Sequence, residues 1–163
     1  MVVIYGLVTI IVVVLVAFLV SIILDIKAKR RTGISFKESM NLVELPVVTF
    51  FNNGVKLNFL IDTGSNISYI NSSVIGLLNY TMIESSNEMM GITGEKKSFS
   101  MCTIDIVYDT YTFTEEFGIL DLDDVYNQIK KESGVTLHGI LGSRFFNKYQ
   151  YILDFETLKA YIK

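Results

Sequence analysis

The stretch Phe59-Leu60-Ile61-Asp62-Thr63-Gly64-Ser65 places one carboxylate at the end of an apolar strand and directly before a short polar turn. Burying an ionised carboxylate is costly unless hydrogen-bond donors or an opposite charge compensate it. Thr63 and Ser65 supply hydroxyl donors, and Gly64 lets the backbone approach closely. The stretch therefore indicates either a functional carboxylate or an ordinary turn, because Asp and Gly are also favoured turn residues.

The residues before this stretch predict a β-hairpin whose second strand continues into Asp62. Val47–Phe51 and Val55–Phe59 are rich in β-branched and aromatic residues, and Asn52-Asn53-Gly54 separates them. Asn-Gly between two such runs is a strong hairpin signal. We therefore expect Asp62 at the end of the second hairpin strand.

From Asn41 onward the chain has the length and the texture of one β domain. Further strands are predicted around Asn66–Asn71, Thr81–Met90, Lys97–Tyr108, Thr110–Leu120, Tyr149–Phe155 and Leu158–Ile162. A short helical turn is predicted over Ser72–Leu78, and a helix over Asp121–Ser133 whose residues Val125 and Ile129 pack on the domain. Gly139-Ile140-Leu141-Gly142 predicts an apolar strand that leads into a short helix.

The segment Val2–Leu24 contains no charged residue and no proline. At about 1.5 Å per residue, a helix of this length spans the roughly 30 Å hydrocarbon core of a bilayer. The alternative is a cleaved signal peptide. It is disfavoured because no Lys or Arg precedes the apolar run and no small-residue cleavage site follows it. We therefore expect an uncleaved membrane anchor.

Basic residues follow the apolar segment immediately, at Lys27, Lys29, Arg30 and Arg31, and none precedes it. Because cytoplasmic flanks are enriched in Lys and Arg, this asymmetry predicts a single-pass protein whose main domain is cytoplasmic. The predicted organisation is an anchor over residues 1–26, a basic flank and linker over 27–40, and a domain over 41–163.

Composition argues against several other classes of function. The net charge of −3 does not favour binding to nucleic acid, which would require a basic face. The chain has one cysteine, Cys102, and one histidine, His138, so neither a disulfide framework nor a zinc site is predicted. We expect no metal and no cofactor, and we interpret His138 as a surface or strand-end residue rather than a catalytic one.

Three features in this order carry a family resemblance: Ile61-Asp62-Thr63-Gly64-Ser65, then a glycine-bearing hairpin, then Gly139-Ile140-Leu141-Gly142 before a helix. Together they resemble the retroviral-type aspartic proteases, the retropepsins, and in particular their single-domain, membrane-anchored cellular forms. The resemblance covers Asn41–Lys163. It implies an all-β half-barrel of the acid-protease type with short helices, here preceded by one N-terminal transmembrane helix.

The resemblance implies that Asp62 is catalytic. Aspartic proteases use two carboxylates that share one proton, because two such close charges cannot both ionise. The chain contains one Asp-Thr-Gly turn, so the second carboxylate is expected from Asp62 of another copy in a two-fold homodimer. The resemblance further implies that Thr63 bonds across the dimer, that Gly64 N–H donates to the carboxylate, and that Ser65 bonds its outer oxygen.

Two further segments take roles from the resemblance. Met90-Gly91-Ile92-Thr93-Gly94 is similar to the tip of a flap that closes over a peptide substrate, the alternative being an ordinary β-turn. Gly139-Ile140-Leu141-Gly142 is similar to the structural strand beneath the active-site loop. Ser143-Arg144 departs from the viral pattern, so the arginine contacts of that pattern are not transferred.

The expected function is therefore a membrane-anchored aspartic endopeptidase that acts on peptides or proteins. The alternative is a catalytically silent module of the same fold that serves in peptide binding or dimerisation at the membrane.

Overall fold

The computed structural model describes residues 11–22, 33–90 and 96–162, with backbone alone for residues 85–90, 96 and 97. The chain forms two compact units, Met1–Gly33 and Ile34–Lys163. In the first unit, residues 11–22 are helical (α1). Among the described residues no helix has both the length and the apolar character needed to cross a bilayer. The anchor predicted over Val2–Leu24 extends beyond the described residues on both sides, so it stays a prediction.

The second unit begins with a helix, α2 (Phe36–Val43), which overlaps the basic flank and linker predicted over residues 27–40. Ser35 caps this helix: its hydroxyl accepts the Glu38 N–H, and the Glu38 carboxylate accepts the Ser35 N–H. Phe36 and Ser39 are buried, so the helix packs on the domain. The linker interpretation is corrected, and the signal that would have found the helix is the Ser-x-x-Glu capping box at Ser35.

Seven strands form one sheet in the order β1-β2-β7-β3-β6-β5-β4. Their bounds are β1 Val47–Asn52, β2 Val55–Asp62, β3 Ser68–Asn71, β4 Tyr80–Met90, β5 Lys96–Tyr108, β6 Tyr111–Leu120 and β7 Gly139–Gly142. β1 also pairs with β5 through Phe51 and Val107, which closes six of the strands into a barrel. The sheet is therefore closed, whereas a half-barrel was expected, and the predicted all-β fold with short helices is confirmed as a mostly β fold.

Short helices and one further hairpin complete the domain. They are a 3₁₀ helix over Ser72–Leu77, α3 (Asp123–Ser133), α4 (Ser143–Tyr149), and the two-stranded sheet of β8 (Tyr151–Asp154) and β9 (Lys159–Ile162). The predicted β1–β2 hairpin is present, and its turn residues Asn53 and Gly54 both have positive φ. This is the geometry that Asn-Gly turns favour.

Helix α3 packs through a different residue from the one predicted. Val125 is 59% exposed, whereas Tyr126 is buried with Val47 and Leu137, and Ile129 packs against that group. The larger ring of Tyr126 buries more apolar area than Val125 would, and it lies three residues from Ile129 on the same helix face. Gly134 forms the C-terminal cap of α3: its φ is 76°, and its N–H donates to the Lys130 carbonyl.

The core is a cluster of aromatic rings inside the barrel. Phe50 is fully buried and lies edge-on to Phe59, Phe113 and Phe145, with ring centroids 5.9 Å apart in each pair. Leu57, Ile104 and Leu141 fill the space around these rings. The inward residues of β2 alternate along the strand, so the pleat that buries Phe59 and Ile61 also determines where Asp62 lies.

Candidate active site

Strand β2 brings Asp62 to the end of the barrel beside β7. The two strands are parallel, with Phe59 opposite Gly139 and Asp62 opposite Gly142. Leu57, Phe59 and Ile61 point into the core, whereas Asp62 lies on the opposite face of the strand and is half-buried. The carboxylate is therefore held by a rigid strand while remaining open to solvent in the single chain.

The turn after β2 supplies a donor to this carboxylate. Gly64 N–H donates to Asp62 Oδ1 at 2.9 Å, and Ser65 N–H donates to the Asp62 carbonyl at 3.2 Å. A Cβ built on Gly64 would lie 3.2 Å from Asp62 Oδ1, so a side chain there would crowd the carboxylate. The contact that the resemblance implied for Gly64 is present, and Thr63 and Gly64 are exposed at the tip of the turn.

Ser65 makes a different contact from the one expected. Its hydroxyl donates to the Ile67 carbonyl at 2.8 Å rather than to Asp62. The Ser65 carbonyl accepts the Ser143 N–H at 2.8 Å, and the Asn66 carbonyl accepts the Arg144 N–H at 3.2 Å. Ser65 therefore closes the loop over residues 63–67, the candidate active-site loop, on itself, while the backbone of this loop satisfies the first amides of α4.

The glycines at the two ends of β7 allow the backbone of the loop and of β3 to lie directly on this strand. A Cβ on Gly142 would lie 2.4 Å from the Ile67 carbonyl oxygen, and one on Gly139 would lie 2.4 Å from the Tyr69 carbonyl oxygen. Real Cβ atoms do not approach backbone oxygens so closely, so both positions require glycine. Between them Ile140 pairs with Tyr69, and Leu141 is fully buried.

The predicted flap falls largely outside the described residues. β4 and β5 form a long antiparallel hairpin that ends with Met90 opposite Lys96. The register of this hairpin shifts between Ile83 and Ser86, which marks a bulge. Gly91, Ile92, Thr93 and Gly94 are not described, so the flap stays a prediction.

A buried polar chain that sequence reasoning missed lies behind the loop. Ser68 Oγ donates to Glu115 Oε1 at 3.0 Å and accepts the Gly142 N–H at 3.2 Å. Glu115 is 2% exposed, and its Oε2 lies 3.7 Å from Lys148 Nζ. Period-two alternation in β6 carries the missed signal, because it places Glu115 on the inward face between Phe113 and Phe117.

Burial raises the pKa of the Glu115 carboxyl. The Ser68 hydrogen bond and the charges of Lys148 and Arg144 oppose this rise, while Glu116 adds to it. The dominance of burial means that this carboxylate is costly to keep ionised where it lies.

His138 is a structural residue at the start of β7. The Nδ1 atom of its ring accepts the backbone N–H of Asn58 at 3.0 Å, and its backbone N–H donates to the Asn58 carbonyl at 2.9 Å. Burial lowers its pKa, and the charge of Lys130 lowers it further. The strand-end interpretation of His138 agrees with these contacts. Within the described ranges, no three metal-binding side chains come together.

The solved structures to which the chain is similar include the following two. One is the EIAV protease in complex with the inhibitor HBY-793, at 17% identity and a TM-score of 0.49, with 66% of this chain and 90% of that chain covered. The other is the retroviral protease-like domain of Ddi1 from Leishmania major, at 13% identity and a TM-score of 0.48, with 73% and 88% covered. No family model matches the chain, and no curated protein sequence matches it.

Proposed function

We propose that the protein is an aspartic endopeptidase whose catalytic unit is a homodimer with one Asp62 from each copy. The supporting observation is the geometry of a single turn: Asp62 ends a rigid strand, Gly64 N–H donates to its Oδ1, and the carboxylate stays half-exposed. Gly64 N–H donates to Oδ1 and leaves Oδ2 to other partners. A carboxylate held in this way suits exchange of protons with water.

The requirement for a second copy comes from the other aspartates of the domain. Asp154 accepts the hydroxyl and N–H of Thr157 in the β8–β9 turn, and Asp123 accepts bonds from Asn71 and Ser73. Asp105 accepts the hydroxyl of Thr114 on the neighbouring strand. These carboxylates already have structural partners, and none of them lies in an Asp-Thr-Gly turn. A two-fold axis beside Asp62 would supply the second carboxylate from an identical turn.

In such a dimer, one Asp62 would be ionised and take a proton from water, while the other would be protonated and donate to the scissile carbonyl. The substrate would be an extended peptide bound as an added strand, with the β4–β5 hairpin over it. Gly64 N–H would keep the carboxylate oriented in both protonation states.

The apolar segment Val2–Leu24 and the basic residues after it support a second part of the proposal, a single membrane span with the domain in the cytoplasm. Anchoring confines the copies to one surface and raises their effective concentration. A weak interface between domains would then be enough for dimers to form.

The test is cleavage of a peptide library by the full chain at mildly acidic and at neutral pH, comparing wild type with Asp62→Asn. Asp109→Asn is the matched control, because Asp109 lies in a turn at φ 54°, a backbone conformation that Asn also adopts readily. We expect cleavage, and its inhibition by a pepstatin-like compound, to disappear in Asp62→Asn and to persist in Asp109→Asn. Cleavage that survives in Asp62→Asn would overturn the proposal.

The silent-module alternative predicts a different result in the same assay. Wild type and Asp62→Asn would then bind extended peptides equally well, and neither would cleave them. The half-buried position of Asp62 at the end of an apolar strand argues against this alternative, since a binding module has no need of a carboxylate whose burial is costly.

A further inference from the structure

A buried polar chain connects the active-site corner with the surface of α4. It starts at the Gly142 N–H, passes through the Ser68 hydroxyl to the Glu115 carboxylate, and ends at the Lys148 ammonium. Lys148 Nζ also donates to the Thr114 carbonyl at 2.7 Å, next to Glu115 in the strand. The proposed mechanism uses none of Ser68, Glu115 and Lys148.

Stability alone gives a poor account of a carboxylate at this position. Glu115 points inward between Phe113 and Phe117, which are both buried. Replacing a buried charged group with an apolar one of similar volume is often neutral or stabilising. An isolated structural role would therefore be served as well by a methionine or a leucine.

The buried polar chain determines the direction of the Ser68 hydroxyl. A serine hydroxyl has one proton and rotates freely, so its lone pairs have no fixed direction until the proton is committed. By accepting that proton, Glu115 turns a lone pair of Ser68 toward the Gly142 N–H. A charged acceptor holds such a bond more strongly than a neutral one.

Gly142 links the oriented Ser68 hydroxyl to the candidate active site. It lies opposite Asp62 in the β2–β7 ladder, and a Cβ built on it would lie 2.4 Å from the Ile67 carbonyl oxygen of the candidate active-site loop. The next residue, Ser143, donates its N–H to the Ser65 carbonyl of the same loop. A shift of Gly142 would therefore disturb its pairing with Asp62 and the hydrogen bond from Ser143 that supports the loop.

We propose that Glu115 is a positioning residue for the active-site loop: through Ser68 it anchors Gly142, and through Gly142 it holds the turn that carries Asp62. Its role in turnover rests on the proposed function, whereas its role in anchoring Gly142 does not. Glu116 provides a matched control, because it is the next residue of the same strand and is exposed.

The kinetic experiment compares Glu115→Met, Glu115→Gln, Ser68→Ala and Glu116→Met in the full chain. One lost hydrogen bond to a charged group corresponds to roughly a tenfold effect or more. We expect Glu115→Met and Ser68→Ala to lower kcat about tenfold with KM unchanged, since neither residue touches substrate. Glu115→Gln should restore most of kcat because its amide oxygen still accepts the hydroxyl. The double variant Glu115→Met/Ser68→Ala should lose no more than either single variant.

Rates are normalised to the folded fraction, measured for each variant by urea unfolding, so that a loss of stability is not counted as a loss of kcat. Equal kcat in Glu115→Met and Glu116→Met, or additive losses in the double variant, would overturn the proposal.

A second measurement does not depend on activity. Amide hydrogen exchange of residues 139–143 in the full chain should speed up about tenfold at one amide in Glu115→Met, and not in Glu116→Met. Unchanged exchange in Glu115→Met would overturn the anchoring of Gly142. If wild type cleaves no peptide, the proposed function fails, and the exchange measurement still decides this inference.

Discussion

Asp62 and Gly142 lie opposite each other in the parallel ladder between β2 and β7, a carboxylate facing a residue with no side chain. The pairing is possible because Gly142 passes directly beneath the active-site loop, where a Cβ would lie 2.4 Å from the Ile67 carbonyl oxygen. The position of the candidate catalytic group therefore depends on a backbone contact as much as on its own turn.

Gly142→Ala is expected to destabilise the domain by about 1–3 kcal/mol, the usual cost of overpacking a tight site. The contact to be relieved is with backbone, so the loop that carries Asp62 must move. The matched control is Gly76→Ala, because a Cβ there meets nothing within 4 Å. Urea unfolding of both variants checks the prediction. Equal midpoints for the two would show that the close approach beneath the loop is not a constraint.

Phe50→Ala should cost about 3–5 kcal/mol, the range measured for truncating large buried aromatic residues. Phe50 is fully buried and is surrounded by Phe59, Phe113 and Phe145, so the cavity cannot collapse easily. Phe155→Ala is the control, because its ring is 57% exposed. Thermal or urea unfolding should separate the two variants clearly. A Phe50→Ala protein as stable as Phe155→Ala would contradict the assignment of the core.

His138 should make the domain sensitive to mild acid. Burial disfavours the imidazolium, so the pKa of His138 in the folded chain lies below its ordinary value of 6.5. Neutral His138 therefore contributes its full stabilisation of the fold at pH values above 6.5, its ordinary pKa. This contribution is lost as the pH falls from 6.5 toward the lower pKa of His138 in the folded chain. Protonation also removes the acceptor that Nδ1 offers to the Asn58 N–H.

The measurement is the urea midpoint between neutral pH and about pH 5, a range in which carboxyls of ordinary pKa contribute less. His138→Asn keeps an acceptor oxygen at the position of Nδ1 and does not titrate. We expect the midpoint of wild type to fall over this range and that of His138→Asn to stay nearly level. The same fall in both proteins would assign the acid sensitivity to other groups.

Removal of residues 1–31 is expected to lower peptidase activity at low protein concentration and to leave it unchanged at high concentration. The compact unit that starts at Ile34 remains intact in this truncation, so the loss would reflect dimerisation rather than folding. Loss of the proposed membrane anchor would lower the effective concentration of the partner copy. A dilution series of full-length and truncated protein measures the effect. Equal specific activity at every dilution would reject the link between anchor and dimer.

The hairpin, the position of Asp62 and the two glycines of β7 were predictable because each rests on a local rule. Asn53-Gly54 favours a hairpin turn, and the period of two along β2 sets which residues face inward. Strand bounds from sequence agree with the structure within a few residues for the same reason.

Other features were not predictable in this way because tertiary contacts decide them. The Ser65 hydroxyl was expected to donate to Asp62, and the fold of the loop brings the Ile67 carbonyl to it instead. Helix α2 looked like a linker because its composition is mixed, although Ser35 and Glu38 carried a local signal. The contact between Ser68 and Glu115 joins residues far apart in sequence, which no local pattern reports.

The single cysteine of the chain has a practical consequence for studying two copies together. Cys102 is fully buried in β5, and burial raises the pKa of its thiol to about 11, so it stays protonated and unreactive toward maleimides at neutral pH. A cysteine introduced at an exposed position such as Val125 would then be the one thiol that takes a spin label or a fluorophore. Distances between labelled copies can therefore be measured in an otherwise native sequence, without first replacing a natural cysteine.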